Sequence, residues 1–169
     1  DFGGSIRAAA IACGGDWQDL GRSLHDGAAA TVFLQPLARI DEAAERNWAA
    51  EWLAAILASE GIAVDPQVKD HLWSALGSLA SAPLSERTLT GLVVLLQSQA
   101  LKQALAPYCV GGPYGQLLDA EYEQLGGSRI QAFETEGLTS TAAAPAVLAY
   151  LFHRIESRLD GSPTLIIID

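Results

Sequence analysis

Methionine is absent from all 169 residues, and lysine occurs only at Lys69 and Lys102. The lysine shortage excludes the most. A phosphate loop of the form G-x-x-x-x-G-K-[ST] needs a lysine behind a glycine turn, because backbone amides and that lysine together cradle the phosphates. Lys69 follows Val68 and Lys102 follows Leu101, so neither stands in such a loop. The two cysteines, Cys13 and Cys109, lie far apart and fit free thiols in a reducing compartment. His25, His71 and His153 are scattered, with no His or Cys at metal-ligand spacing. The pattern G-x-S-x-G does not occur, so no nucleophile elbow is present. No apolar stretch reaches the roughly 18 residues of a spanning helix, and no signal peptide is visible. An opening at Asp1 without any Met reads as an internal piece of a longer chain.

What is present supports a folded domain. Half the residues are hydrophobic and 18% are charged, enough apolar material for a core. Ten basic against twenty acidic residues give a net charge of −10 at pH 7. That balance argues against a broad nucleic-acid footprint, which needs clustered Lys and Arg, and against attraction to an anionic membrane surface.

Residues 1–40 read as α/β. Gly3 and Gly4 form a turn, Ile6 to Ala12 a short Ala-rich helix that Gly14-Gly15 ends, and Ala30 to Leu34 a strand stopped by Pro36. Residues 41–111 change character. Asp41 can cap a helix carrying Trp48, Trp52, Leu53, Ile56 and Leu57, which Gly61 ends. Asp65-Pro66 is a cap followed by Pro at the first helical position, ahead of Val68, Leu72, Leu76 and Leu79. Two short helices follow over 88–97 and 99–106, and Pro107 closes the set. Four helices with no strand between them suggest an all-α insertion. Residues 112–169 return to α/β, with a strand over 129–134 and a helix from Thr139 through Leu159 that tolerates Pro145 in its first turn. The aliphatic run Leu165-Ile166-Ile167-Ile168 then suits a strand buried on both faces.

Few side chains carry chemistry. Asp169 closes the aliphatic run, and an acid at the carboxyl end of a parallel strand sits where α/β proteins bind ligands. In P-loop NTPases the corresponding Walker B acid holds the Mg²⁺ of the nucleotide, while the bland reading is a core strand entering a turn. Glu134 and Glu136 end a strand, as a general base or as solvated acids. Arg154 and Arg158 share a helix face at i and i+4, either as arginine fingers across a subunit boundary or as surface charges favoured by the helix dipole.

Several segments together carry a resemblance. Asp1-Phe2-Gly3-Gly4-Ser5, Gly14-Gly15, Phe33-Leu34-Gln35-Pro36-Leu37, Trp48-Ala49-Ala50-Glu51-Trp52 and Gly115-Gln116-Leu117-Leu118-Asp119-Ala120 stand in one order along the chain. Phe133-Glu134-Thr135-Glu136-Gly137-Leu138, the helix from Pro145 to Asp160, and Pro163 to Asp169 complete that order. In that order the chain resembles the type IV secretion ATPases of the VirB type, in their conjugal transfer branch. Thr135 departs from a usual Met and His153 from a usual Arg.

The resemblance implies a partial RecA-like P-loop NTPase core, built from 1–40 and 112–169, with 41–111 as an all-α inserted lobe. It implies Mg²⁺ and ATP as cofactors, with the Asp169 carboxylate on the metal. Asp1 is placed near the nucleotide with no role of its own. The P-loop and a Glu following Asp169 would lie outside this sequence. Other secretion subunits as partners, a hexamer, and a cytoplasmic place at the bacterial inner membrane are likewise implied, with ATP hydrolysis driving DNA transfer or pilus assembly. A rival reading is a non-catalytic α/β binding or assembly module.

Overall fold

The computed structural model describes residues 5–21 and 32–168. Asp1, the Gly3-Gly4 turn, His25 and Asp169 lie outside the described residues. The elements run α1 (Ser5–Ala12), β1 (Asp16–Asp19), α2 (Ala43–Ser59), α3 (Pro66–Leu79), α4 (Leu89–Leu95), α5 (Gln99–Leu105), α6 (Gly115–Leu118), β2 (Gln131–Glu134), α7 (Glu136–Thr139) and α8 (Ala144–Glu156). Single turns of 3₁₀ helix sit at Leu84–Glu86 and Ala106–Tyr108. At this coarse level the chain is mixed α/β, mostly helical.

The helical stretch follows local chemistry closely. Asp65 caps α3 by accepting the amide of Val68 at 2.8 Å, with Pro66 in the first turn. Thr88 and Ser98 cap α4 and α5 in the same way, through the amides of Gly91 and Leu101. Such caps satisfy amides that have no intrahelical partner. Gly61 follows α2 with φ 81, the left-handed value that favours glycine at a helix end. One cap differs from expectation. Asp41 does not cap α2. Glu42 precedes that helix without a side-chain cap, and Asp41 instead accepts Arg87 Nη1 at 2.6 Å. Arg87 also donates to the carbonyls of Ala82 and Ala38, each at 3.0 Å, so an ion pair and two carbonyls claim the region that the cap would have used.

The strands differ more. β1 and β2 pair in parallel, Asp16 opposite Gln131 through Asp19 opposite Glu134. The second strand was expected and the first was not, because Asp16-Trp17-Gln18-Asp19 has no apolar alternation. Residues 32–34 form no ladder strand. Val32 and Leu34 are buried, and Leu34 bonds the backbone of Leu117 and Ala120 singly. The aliphatic run is the larger correction. Residues 163–168 belong to no strand, and Leu165 and Ile167 are 82% and 79% exposed. A strand buried on both faces needs a neighbour at each edge and a layer on each face, and the described residues give this run neither. The strand–helix–strand unit expected over 129–169 is therefore not formed among them.

One apolar cluster spans the molecule. Leu53, Leu57, Leu76, Leu92 and Leu105 of the helices share it with Leu34, Leu117, Leu138 and Val147. Trp52 of α2 is buried, and its indole N–H donates to the Ala146 carbonyl of α8 at 2.9 Å. Trp48 stacks on Trp52 on one side and on His153 on the other. Residues 43–108 thus pack as helices against α8.

Leu76 is fully buried, whereas Leu95 is 42% exposed. Leu76→Ala is expected to lower unfolding free energy by about 2–5 kcal/mol, the usual cost of a core cavity. Leu95→Ala is expected to stay within about 1 kcal/mol. Urea unfolding of the two variants checks this, and equal losses would contradict the packing.

Candidate functional site

The carboxyl ends of β1 and β2 lie side by side, the position at which open α/β sheets bind ligands. Asp19 ends one strand and Glu134 the other, in register. Glu134 is buried, and its Oε1 accepts the amides of Thr135 at 2.9 Å and Glu136 at 3.0 Å. The carboxylate folds back over the end of its own strand and starts α7. That geometry suits a structural acceptor better than a base reaching for a proton. Glu136, the other acid read from the sequence, is exposed. Gly21 lies just past β1, and a Cβ there would stand 2.6 Å from the Gly137 Cα. Two backbones therefore cross closely beside the strand ends, which only glycine permits.

A second polar group surrounds α8. Glu123 Oε1 accepts Arg154 Nε at 2.9 Å, and Oε2 accepts the Tyr150 hydroxyl. Burial first, and the Glu123 charge second, push the Tyr150 hydroxyl far above the ordinary phenol range, so it remains a donor. One turn away, His153 Nε2 lies 3.0 Å from Glu45 Oε2 while its ring stacks on Trp48, centroids 4.0 Å apart. Glu45 Oε1 accepts Arg39 Nη2 at 2.9 Å. His153, the departure from the family's Arg, thus keeps a carboxylate partner on α2.

A third group was missed by sequence reasoning. Asp119 is buried and accepts the amides of Thr90 at 3.0 Å and Val110 at 2.7 Å, together with the Thr90 hydroxyl. The only advance signal was Leu117-Leu118-Asp119 itself, a carboxylate straight after an apolar pair. Gly115 lies where a Cβ would collide with the Cys109 carbonyl, so this corner is tightly folded. An apolar groove of about 270 Å³ opens beside it, lined by Phe33, Val110, Gly111, Gly115, Asp119 and Tyr122 among others. Asp119 spends its lone pairs on the protein itself and acts as a brace.

Among the described residues, no three His, Cys, Asp or Glu side chains gather where one ion would touch them. Asp1 and Asp169, the residues placed at a nucleotide by resemblance, are outside the described residues. The structure therefore brings together Glu134 with Glu136, and Arg154 with Glu123. Arg154 and Arg158 both turn inward to the 123–126 loop, Arg158 through the Gly126 carbonyl at 2.7 Å.

Two curated relatives align with the whole chain. Both are conjugal transfer proteins. More particularly, one is a probable conjugal transfer protein TrbE of Sinorhizobium fredii (strain NBRC 101917 / NGR234), 38% identical over 171 residues, and the other the conjugal transfer protein TrbE of Rhizobium radiobacter, 36% identical over 172 residues. The similarity is of the TrbE type and takes in all of this chain, which spans 25% and 21% of the two relatives. It agrees with the conjugal transfer resemblance read from the sequence. No family model matches. No described helix is long and apolar enough to cross a membrane.

The Cys109 thiol offers a direct check on this corner. Burial first, then the Asp119 charge, push it from 9.0 up to about 11. Cys13 is exposed. At pH 8 a thiol reagent is expected to titrate one cysteine quickly in the native chain and two after denaturation. Between pH 9 and pH 11 the unfolded thiol ionises while the folded one stays neutral. Wild type should therefore lose stability relative to Cys109→Ala as pH rises across that window and match its trend below it. A flat difference through the window would mean that the thiol is not held in this environment.

Proposed function

We propose that the chain belongs to a conjugal transfer motor ATPase, with a RecA-like P-loop core and residues 41–111 as its inserted helical lobe. The whole-length TrbE similarity carries the proposal. The order of segments supports it: a parallel strand pair, α7, α8, then an aliphatic run into Asp169. A carboxylate oxygen is the hard donor that Mg²⁺ prefers, so the Asp169 side chain fits a nucleotide-bound magnesium ion. Bound there, the ion would supply neutralisation of phosphate charge during hydrolysis. Asp169 is the catalytic and metal-holding residue in this reading, and Asp1 lies near the nucleotide. Other conjugation subunits, a hexamer and the inner-membrane face are the setting that the same reading gives.

The chain by itself is expected to bind Mg·ATP weakly or not at all. Neither Lys69 nor Lys102 belongs to a phosphate loop, and much of the affinity for nucleotide comes from that loop. Low-micromolar binding by calorimetry would contradict this.

In a protein of the relatives' length, Asp169→Asn keeps the side-chain shape and removes the charge. Hydrolysis is expected to fall roughly a hundredfold or more, the scale on which one positioned electrostatic group acts. The melting temperature should change little. A folded variant with near-normal hydrolysis would favour the rival binding or assembly module.

A further inference from the structure

Arg154 and Arg158 were singled out by spacing, and the proposed motor assigns them nothing. Both contact one short loop. Arg154 Nε donates to Glu123 Oε1 at 2.9 Å, and both side chains are less than one-fifth exposed, at 19% and 17%. Arg158, in the turn after α8, donates Nη1 to the Gly126 carbonyl at 2.7 Å, a carbonyl that also accepts Gln131 Nε2 of β2. Tyr150, one helical turn before Arg154, donates its hydroxyl to the other Glu123 oxygen. The 123–126 loop therefore holds the last turn of α8 at three points and ties it to the start of β2.

The chain leaves that clamp along a short, defined path. Asp160 Oδ1 accepts the Ser162 amide at 3.0 Å, and Gly161 takes φ 89, so the residues after α8 form a built turn. Pro163 and the aliphatic run follow directly. No backbone ladder holds that run among the described residues, so the clamp and the turn are what set its direction.

We propose that Arg154, with Arg158 and Glu123, forms a positioning clamp acting within one chain, which fixes the direction in which the aliphatic run delivers Asp169. This rests on the motor reading above. It differs from a role across a subunit boundary, because an arginine finger needs its guanidinium free to meet a neighbour's phosphate. Arg154 instead spends its Nε on a half-buried carboxylate. Displacement of a reacting group by about 1 Å costs on the order of a hundredfold in rate, so a clamp one turn and six residues away has leverage over hydrolysis.

The test uses a protein of the relatives' length. Arg154→Gln, Glu123→Gln and the double variant are compared for ATP hydrolysis, with hydrogen exchange measured over 157–168. Each single variant is expected to lower kcat about tenfold or more with KM for ATP unchanged. The double variant should be no slower than the slower single, because both break one contact. Exchange over 157–168 should rise in all three, with 43–105 unchanged. Arg158→Gln is exposed enough to leave folding intact and should show the same kcat-only loss, smaller in size. An inactive Arg154→Gln beside a normal Glu123→Gln would overturn the clamp, since Arg154 would then act alone. So would unchanged exchange over 157–168, or losses that multiply in the double variant. Failure of the motor reading looks different. Hydrolysis would then survive Asp169→Asn, while exchange over 157–168 would still rise in the clamp variants.

Discussion

The crossing of α2 and α8 is the contact on which the rest of the architecture hangs. Trp52 and Ala146 lie 94 residues apart in sequence, and the buried indole N–H of one meets the carbonyl of the other at 2.9 Å. An indole N–H buried without an acceptor would cost on the order of 1–3 kcal/mol, so the bond fixes where along α8 the Trp52 ring can sit. Trp48 follows one turn earlier on α2 and stacks on both Trp52 and His153. Two large rings and a histidine thus lock the helices in register as well as in contact. A slide of one residue would strand the indole proton and separate the stack.

From this crossing a chain of polar contacts runs outward, and each member satisfies a group that burial would otherwise penalise. Glu123 joins α8 to the loop before β2. Gln35 is buried, gives its backbone amide to Glu123 at 3.5 Å and its side-chain amide to the Leu84 carbonyl at 2.6 Å. Arg87, just beyond the Leu84–Glu86 turn, ties back to Ala38 and Asp41. The exposed Lys69–Glu51 pair, at 3.5 Å, adds at most about 1 kcal/mol by comparison. The half-buried contacts matter more because they are directional. They decide which loops stand beside α8, where apolar burial alone would accept several arrangements.

How much of this was legible follows from where each signal is stored. The helices of 43–105 were readable because caps, prolines and 3.6-residue stripes are local, and Asp65-Pro66 needs nothing beyond its own turn to act. β1 was not readable, since Asp16 to Asp19 owes its strand geometry to a partner 115 residues downstream. Asp41 was misread for the same reason: its competitor for hydrogen bonding, Arg87, is 46 residues away. The brace at Asp119 and the clamp at Glu123 are likewise contacts between distant segments, each marked in sequence by one acid among twenty. The proposed catalytic acid came from resemblance and strand position. The described residues stop one short of it.

The aliphatic run sets composition against surroundings. Burying a Leu or Ile side chain is worth about 1.5–3 kcal/mol, and Leu165 to Ile168 are four such residues in succession. In the described structure they stand largely in water beside a parallel sheet of only two strands. Parallel sheets are stable when both faces and both edges are covered, and a two-stranded one has little of either. The run and the small sheet therefore have complementary deficits. One offers apolar strand surface without a ladder, and the other offers ladder edges without enough strands. A sheet that joined them would place Asp169 at a carboxyl strand edge, the position from which a carboxylate can serve a nucleotide. The burial energy of the run and the place of the acid then belong to one physical argument, because the same packing that shelters four aliphatic side chains would fix the direction of the charge that follows them.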